Sequence, residues 1–217
     1  MAYSKFKTLD DVMSRLSIAV VERPGLFSSV VAVPLSQTLT DALEQNIPLA
    51  TALYTEKARS ELIVMPLLLE VWNQEKREIG LFSGVELNVD RKLGLDGFCD
   101  FLLSLDPLQS TLRAPVVTIV ETKKVDPGEG IAQCIAEMVA AQKFNEQREK
   151  PLPVIYGVAT SGLLWRFLRL VGSQVEIDLL DYPIGEAEKI VGILTHVIHE
   201  ARKGEKINGS ECFLGSD

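Results

Sequence analysis

The sequence has few of the residues that metal cages, disulfide frameworks and membrane anchors require. Its 217 residues include three widely spaced cysteines, no CxxC pair and two histidines. A structural zinc site needs a closely spaced set of such ligands, so none is expected. We interpret Cys99, Cys134 and Cys212 as reduced thiols, two of them packed in the core. Because no apolar run approaches the roughly 18 residues of a membrane-spanning helix, no membrane partner is expected.

An excess of positive charge is also absent. Lysine and arginine total 22 against 30 acidic residues, which gives a formal net charge of −8. Proteins that bind phosphates usually carry a basic footprint. This chain could bind them through a local basic groove, with weak affinity alone, with a partner protein, or as a dimer that pools two sites. The residues that could gather in such a groove are Lys57, Arg59, Lys123, Lys124, Lys143 and Arg166.

The N-terminus shows no sign of a secretory signal, because MAYSKFKTLDDVMSRL mixes charges into its first turns and has no apolar core. We therefore expect a cytoplasmic protein. Apolar residues make up 47% and charged residues 24%, as in ordinary globular domains. The change of pattern near Leu39 predicts an N-terminal extension over 1–45, packed on a main domain over 46–217.

The order of the predicted elements indicates an α/β fold with a mixed central sheet covered on both faces. Apolar spacing predicts a helix from Leu9 to Ile18, and Pro48 and Pro66 divide a second helical region into at least two pieces. That region carries an apolar stripe of Tyr54, Ala58, Leu62, Met65 and Leu69. Strands are predicted at 85–90, 97–105, 115–124, 152–160, 163–171 and 174–182, and helices at 131–147 and 184–203.

The strand at 115–124 ends in an arrangement that packing does not explain. It is almost wholly apolar up to Glu121, as a central strand buried on both faces should be. Side chains two residues apart on a strand point to the same face, so Glu121 and Lys123 project together. An apolar strand has no packing reason to end in a carboxylate and an ammonium.

A second carboxylate, Asp100, lies in the strand at 97–105 among apolar neighbours, where it is costly unless it is paired or bound to a metal. If the two strands are neighbours, Asp100 and Glu121 can meet over one ion. Mg²⁺ (or Mn²⁺) prefers hard oxygen ligands and typically takes one or two carboxylates. Lys123 beside it could orient a water or stabilise charge on a phosphate, which suits phosphodiester hydrolysis.

These residues resemble the PD-(D/E)xK nuclease superfamily. GFCD (97–100) is similar to its Gly-x-x-Asp element and ETK (121–123) to its Glu-x-Lys element. Gln133 resembles the glutamine that often opens the following helix in one branch, although position 137 is Glu where that branch has tyrosine. The resemblance implies a restriction-endonuclease-like three-layer αβα sandwich and a metal-dependent nuclease acting on DNA, with Asp100, Glu121, Lys123 and Gln133 as catalytic residues.

The resemblance also implies an acidic residue near the metal from an earlier helix. TEKARSELIVMPLL offers Glu56 and Glu61 as further metal ligands. Five residues apart, they point in different directions on a helix, so we expect only one of them to face the site.

Several alternatives stay open. Glu121 and Lys123 could be a solvated strand end, and an arginine or backbone amides could satisfy Asp100. Gln133 could have no role beyond capping or padding the start of a helix. The same fold could serve as a catalytically inactive scaffold or binding module that recruits a protein or nucleic-acid partner. A homodimer with the apolar segment 26–35 at its interface is a third possibility.

Overall fold

The computed structural model describes residues 3–211, and side chains through residue 205. The helices are α1 (Leu9–Leu16), α2 (Gln37–Leu53), α3 (Glu56–Arg59), α4 (Met65–Gln74), α5 (Ile131–Glu146) and α6 (Ala187–Glu211). The strands are β1 (Ala19–Arg23), β2 (Gly80–Glu86), β3 (Phe98–Ser104), β4 (Val116–Thr122), β5 (Ile155–Thr160), β6 (Leu164–Val171), β7 (Gln174–Asp178) and β8 (Tyr182–Pro183). None of the helices in this part of the chain is long and apolar enough to cross a membrane.

The eight strands form one mixed sheet flanked by helices, which confirms the α/β fold with a mixed central sheet. The strand order is β1-β7-β6-β5-β4-β3-β2, and β8 pairs with β6. β1 runs parallel to β7 and β4 parallel to β5, while the other pairs are antiparallel. All seven residues of β4 are buried, as its apolar run predicts for a central strand.

Helix α5 is held on β4 near its end and on β5 near its middle. The buried Asn145 side chain, near the end of α5, donates to the carbonyl of Val116 and accepts from its N–H, both at 2.7 Å. Near the middle of the helix, Gly157 of β5 lets α5 approach the sheet, because a Cβ there would lie 2.4 Å from the sulfur of Met138. Helix α5 is therefore held closely against β4 and β5.

The N-terminal segment takes part in the sheet, which its sequence did not indicate. The predicted helix ends at Leu16, because Ser17 adopts a left-handed backbone conformation (φ 55°). The next residues form β1, an edge strand paired with β7. The proposed boundary between residues 45 and 46 falls inside α2. The division into an extension and a main domain stays a prediction.

The segment suggested as a dimer interface, 26–35, contacts the rest of the chain at several points. Phe27 is buried and its ring lies 5.5 Å from that of Phe167. The N–H of Val33 donates to the carbonyl of Glu188 at 3.0 Å, and Lys189 donates to the carbonyl of Ser28 at 2.9 Å. Other residues of the segment, such as Val31, are exposed. The homodimer stays a prediction.

The predicted apolar stripe in the second helical region is only partly correct: Ala58 is buried, and Leu62 and Met65 are partly buried against the core. Tyr54 lies beyond α2 and is half exposed, and Leu69 is also exposed. A π-helical turn over Ser60–Val64 separates α3 from α4 and alters the register of the buried face. The residues that are buried instead are Ile63, Val64, Leu67, Leu68 and Val71. Pro66 lies in the first turn of α4, whereas Pro48 lies within α2 without ending it.

The strand predicted at 85–90 is displaced, because β2 covers Gly80–Glu86. The apolar alternation that continues after it belongs to a tight turn. The Asp90 carboxylate accepts from the N–H groups of Lys92 and Leu93, and Asp90 bridges to Leu95. The other predicted strands and α5 match the structure to within a few residues at their ends.

Cys99 and Cys134 are buried free thiols, which confirms two core cysteines. Cys212 lies outside the described residues.

Candidate functional site

The two strands that carry the predicted carboxylates are direct neighbours. β3 and β4 are antiparallel with Phe101 opposite Val120, so the next position along the pair sets Asp100 against Glu121. The Asp100 side chain turns toward the end of β4, where the N–H of Thr122 donates to its Oδ2 at 2.8 Å. Residues opposite each other on antiparallel strands point to the same face. The predicted meeting of Asp100 and Glu121 is therefore possible.

Lys123 lies just beyond β4, where the backbone continues alongside β5. Its N–H donates to the carbonyl of Thr160 at 2.7 Å, which holds the residue in the direction of the strand. Its ammonium contacts Glu121 Oε1 and donates to Gln133 Oε1 at 3.2 Å. The expected projection of Glu121 and Lys123 to one face is confirmed, because the two side chains form an ion pair.

The N-terminal turns of α5 lie directly over these side chains. A Cβ at Gly130 would lie 3.1 Å from Lys123 Cγ and 3.3 Å from Glu121 Cγ, so glycine allows the close approach. Three residues later, Gln133 faces Lys123. Its amide then donates through Nε2 to Glu137 Oε1 at 3.0 Å. The helix thus adds an amide and a further carboxyl to the site.

Burial raises the pKa of the two most buried carboxyls of the site, Glu121 and Glu137. Glu121 is 2% exposed, and burial followed by repulsion from Asp100 raises its pKa to about 7, against the attraction of Lys123. Glu137 is completely buried, and burial followed by repulsion from Glu121 raises its pKa well above the ordinary value. Burial lowers the pKa of Lys123, but the charge and hydrogen bond of Glu121, together with the charges of Glu56 and Asp100, outweigh this and the net shift is upward.

The deep carboxyls also have unused oxygens. Neither Glu121 Oε2 nor Glu137 Oε2 has a hydrogen-bond partner among the residues whose positions are described. A buried oxygen without a partner is costly unless a proton, a water or a cation compensates it. Asp100 and Glu121 together offer hard oxygen ligands at one point of the sheet.

These ligands fit a magnesium or manganese ion better than a metal held wholly by protein. Within the described side chains, no three His, Cys, Asp or Glu residues are grouped to hold a metal ion. Mg²⁺ commonly uses only one or two carboxylates and completes its shell with water and substrate phosphate. Asp100 and Glu121, with the unpartnered Glu121 Oε2, match that pattern.

Of the two candidate glutamates on the earlier helix, the structure brings only Glu56 to the site. Glu56 lines a cavity of about 240 Å³ together with Asp100 and Thr122. Burial, partly offset by Lys123, raises the pKa of Glu56. Glu61 is exposed and pairs instead with Lys57 at 2.7 Å. The expectation that one of the two faces the site agrees with this geometry, with Glu56 as that residue.

Most of the basic residues proposed for a groove already have partners. Arg59 is buried and donates to the backbone carbonyl of Lys124, whose own ammonium lies 4.3 Å from the centre of the Tyr54 ring. Arg166 forms a two-bond pair with Asp181 at 2.7 and 2.8 Å. These contacts leave less free positive charge than a groove of all six residues would supply.

The last basic residue, Lys143, is remote from the site. It lies near the end of α5, roughly 15 Å along the helix from Gln133 at the usual rise per residue. The two histidines are also separate, because His199 pairs with Glu75 at 2.8 Å between α6 and the end of α4. Neither feature contributes to the carboxylate cluster.

The sequence did not point to Glu137 as part of the site. The available signal was its position four residues after Gln133, which places both side chains on one face of α5. A carboxyl flanked by Ile135, Ala136 and Met138 on a buried helix was the second indication.

Comparison of the chain with protein-family models, with curated proteins and with solved structures finds no match. The case for a function therefore rests on the geometry and chemistry of these residues.

Proposed function

We propose that this protein is a metal-dependent nuclease that hydrolyses phosphodiester bonds of DNA, on a restriction-endonuclease-like αβα sandwich of the PD-(D/E)xK type. The observation that carries the proposal is the convergence of Asp100, Glu121, Lys123 and Gln133 from three separate elements. A purely structural ion pair would not need all of these groups. It would also have no reason to leave a buried carboxylate oxygen, Glu121 Oε2, without a partner. The proposal includes a cytoplasmic location.

Asp100 and Glu121 are the proposed ligands of Mg²⁺ or Mn²⁺, and Glu56 borders the same site. When bound, such an ion polarises a phosphoryl oxygen and makes water a better nucleophile. The buried position of Glu121 favours cation binding, because an ion compensates a charge that little water reaches.

In the proposed reaction Lys123 supplies positive charge, and Gln133 holds Lys123 in position. The ammonium of Lys123 is held by Glu121 on one side and by the Gln133 carbonyl on the other. A fixed cation at this point can stabilise negative charge that develops on the phosphate and can orient an attacking water. Gln133 keeps the ammonium in place without adding charge of its own.

A catalytically inactive binding module is the second candidate, and the charge balance of the site favours it. Three carboxyls, Asp100, Glu121 and Glu56, lie near the ammonium of Lys123. Nearby Arg166 is engaged by Asp181. An acidic site of this kind attracts a cation or a basic protein partner more readily than a phosphate backbone. In this reading the fold recruits a partner without cutting nucleic acid.

The direct test is incubation of purified protein with supercoiled plasmid, single-stranded DNA and RNA of the same sequence, with Mg²⁺, with Mn²⁺ or with EDTA. We expect cleavage of DNA that requires the added metal and stops with EDTA. Cleavage of RNA alone would support phosphodiester hydrolysis but would show that the substrate is RNA and not DNA. A folded wild-type protein that leaves every substrate intact, at stoichiometric enzyme and in both metals, would contradict the nuclease proposal and favour the binding module.

A further inference from the structure

Glu137 is the most deeply buried acidic residue near the site. It is not among the predicted metal ligands. It lies in the second turn of α5 with no exposed surface, among apolar neighbours such as Met138. A carboxyl in such a place lowers stability relative to an apolar side chain of similar size. Packing alone therefore does not account for a glutamate at this position.

The hydrogen bonds around Glu137 connect it to the proposed site. Its Oε1 accepts from Gln133 Nε2 at 3.0 Å, and Gln133 Oε1 accepts from the Lys123 ammonium at 3.2 Å. Lys123 in turn contacts Glu121. A continuous relay of hydrogen bonds thus runs from Glu137 through Gln133 and Lys123 to Glu121.

The relay also fixes which way the Gln133 amide faces. An ammonium has only donors, so Lys123 needs the carbonyl oxygen of the amide. With that oxygen turned toward Lys123, the NH₂ group points toward the interior and requires an acceptor there. Glu137 Oε1 supplies it. Without an acceptor at position 137, the inward-facing NH₂ group loses its hydrogen bond, and the amide is held less firmly against Lys123.

We propose that Glu137 is a positioning residue, which orients Gln133 and through it holds the Lys123 ammonium beside Glu121. This inference rests on the proposed nuclease function only for its catalytic consequence, because the relay itself is a property of the metal-free protein. Glu137 touches neither substrate nor metal in this scheme.

The test compares Glu137→Gln with Glu137→Met. Glutamine keeps a carbonyl oxygen that accepts from Gln133, whereas methionine fills similar space without a good acceptor. Two quantities are measured: the solvent exchange of the Gln133 side-chain amide protons by NMR in metal-free protein, and the kcat and KM of DNA cleavage. Glu137→Met is expected to speed that exchange and to lower kcat by about 10- to 100-fold with little change in KM. Glu137→Gln is expected to preserve both.

Gln133→Met breaks the same relay from its other end and keeps the test decisive if Glu137→Met does not fold. It should lower kcat as Glu137→Met does. Where both single variants fold, the double variant should fall no further than Gln133→Met alone, because the two residues act as one unit. Losses that add, or a folded Glu137→Met that keeps wild-type exchange and kcat, would overturn the proposal.

The two proposals can fail separately. If wild-type protein cleaves nothing, the nuclease proposal fails, and the exchange of the Gln133 amide still decides the relay. Faster exchange in Glu137→Met but not in Glu137→Gln supports it, and equal exchange in all three proteins overturns it. If DNA is cleaved and Glu137→Met is fully active, the nuclease proposal stands and the positioning role is overturned.

Discussion

Lys123→Ala is expected to lower the single-turnover rate of DNA cleavage by about 10²- to 10³-fold, whereas Lys124→Ala leaves it nearly unchanged. The Lys123 ammonium contacts Glu121 and Gln133 within the site, so it is the group placed to stabilise charge on the phosphate. Lys124 is the matched control, because its ammonium lies instead against the Tyr54 ring. The measurement is cleavage of a labelled duplex with enzyme in excess.

Melting curves of both variants separate lost chemistry from lost fold. A folded Lys123→Ala protein with the wild-type rate would contradict the role given to Lys123. An equal loss in both lysine variants would point to a general effect of positive charge on DNA affinity. In that case the loss should shrink as the salt concentration is lowered.

Glu121→Gln is expected to flatten the dependence of stability on pH. Burial raises the pKa of Glu121 from 4.5 to about 7, so between these values the folded protein binds more protons than the unfolded chain. The stability that this group contributes is therefore fully present below the lower value and is lost as pH rises through about 7. For metal-free protein the loss is on the order of 3 kcal/mol in the free energy of unfolding.

Urea denaturation of wild type and Glu121→Gln in EDTA, at a series of values from about pH 5 to about pH 8, measures this difference. The comparison uses the slope with pH, because the variant also removes the partner of Lys123 and so shifts absolute stability. Glu61→Gln is the control, since Glu61 is exposed and should leave the slope unchanged. A Glu121→Gln protein whose stability still falls as the wild type does would show that Glu121 is not protonated by burial.

The core of the site was predictable because it depends on local rules. Alternation along a strand sets Glu121 and Lys123 on one face, and an apolar run marks β4 as central. Helix spacing also indicated that Glu56 and Glu61 diverge. Which of the two faces Asp100 depends on how α3 meets the sheet, and this was not readable from the sequence.

The remaining features depend on residues far apart in the chain. The edge strand β1 is held by β7, more than a hundred residues later, and its own short sequence has no clear period. Arg166 does not add free charge to the expected basic groove, because it is paired with Asp181, a partner that no sequence motif identifies. Glu137 acquires its place through the packing of α5 on β4 and β5. Tertiary contacts decide each of these cases.

Titration of Mn²⁺ into metal-free protein, followed by calorimetry for wild type, Asp100→Asn and Glu61→Gln, tests the central claim that Asp100 and Glu121 hold a catalytic cation. Wild type and Glu61→Gln should bind the ion with the same affinity, and Asp100→Asn should bind it at least about 10-fold more weakly. Equal affinity in all three proteins, or no binding by the folded wild type, would contradict the account.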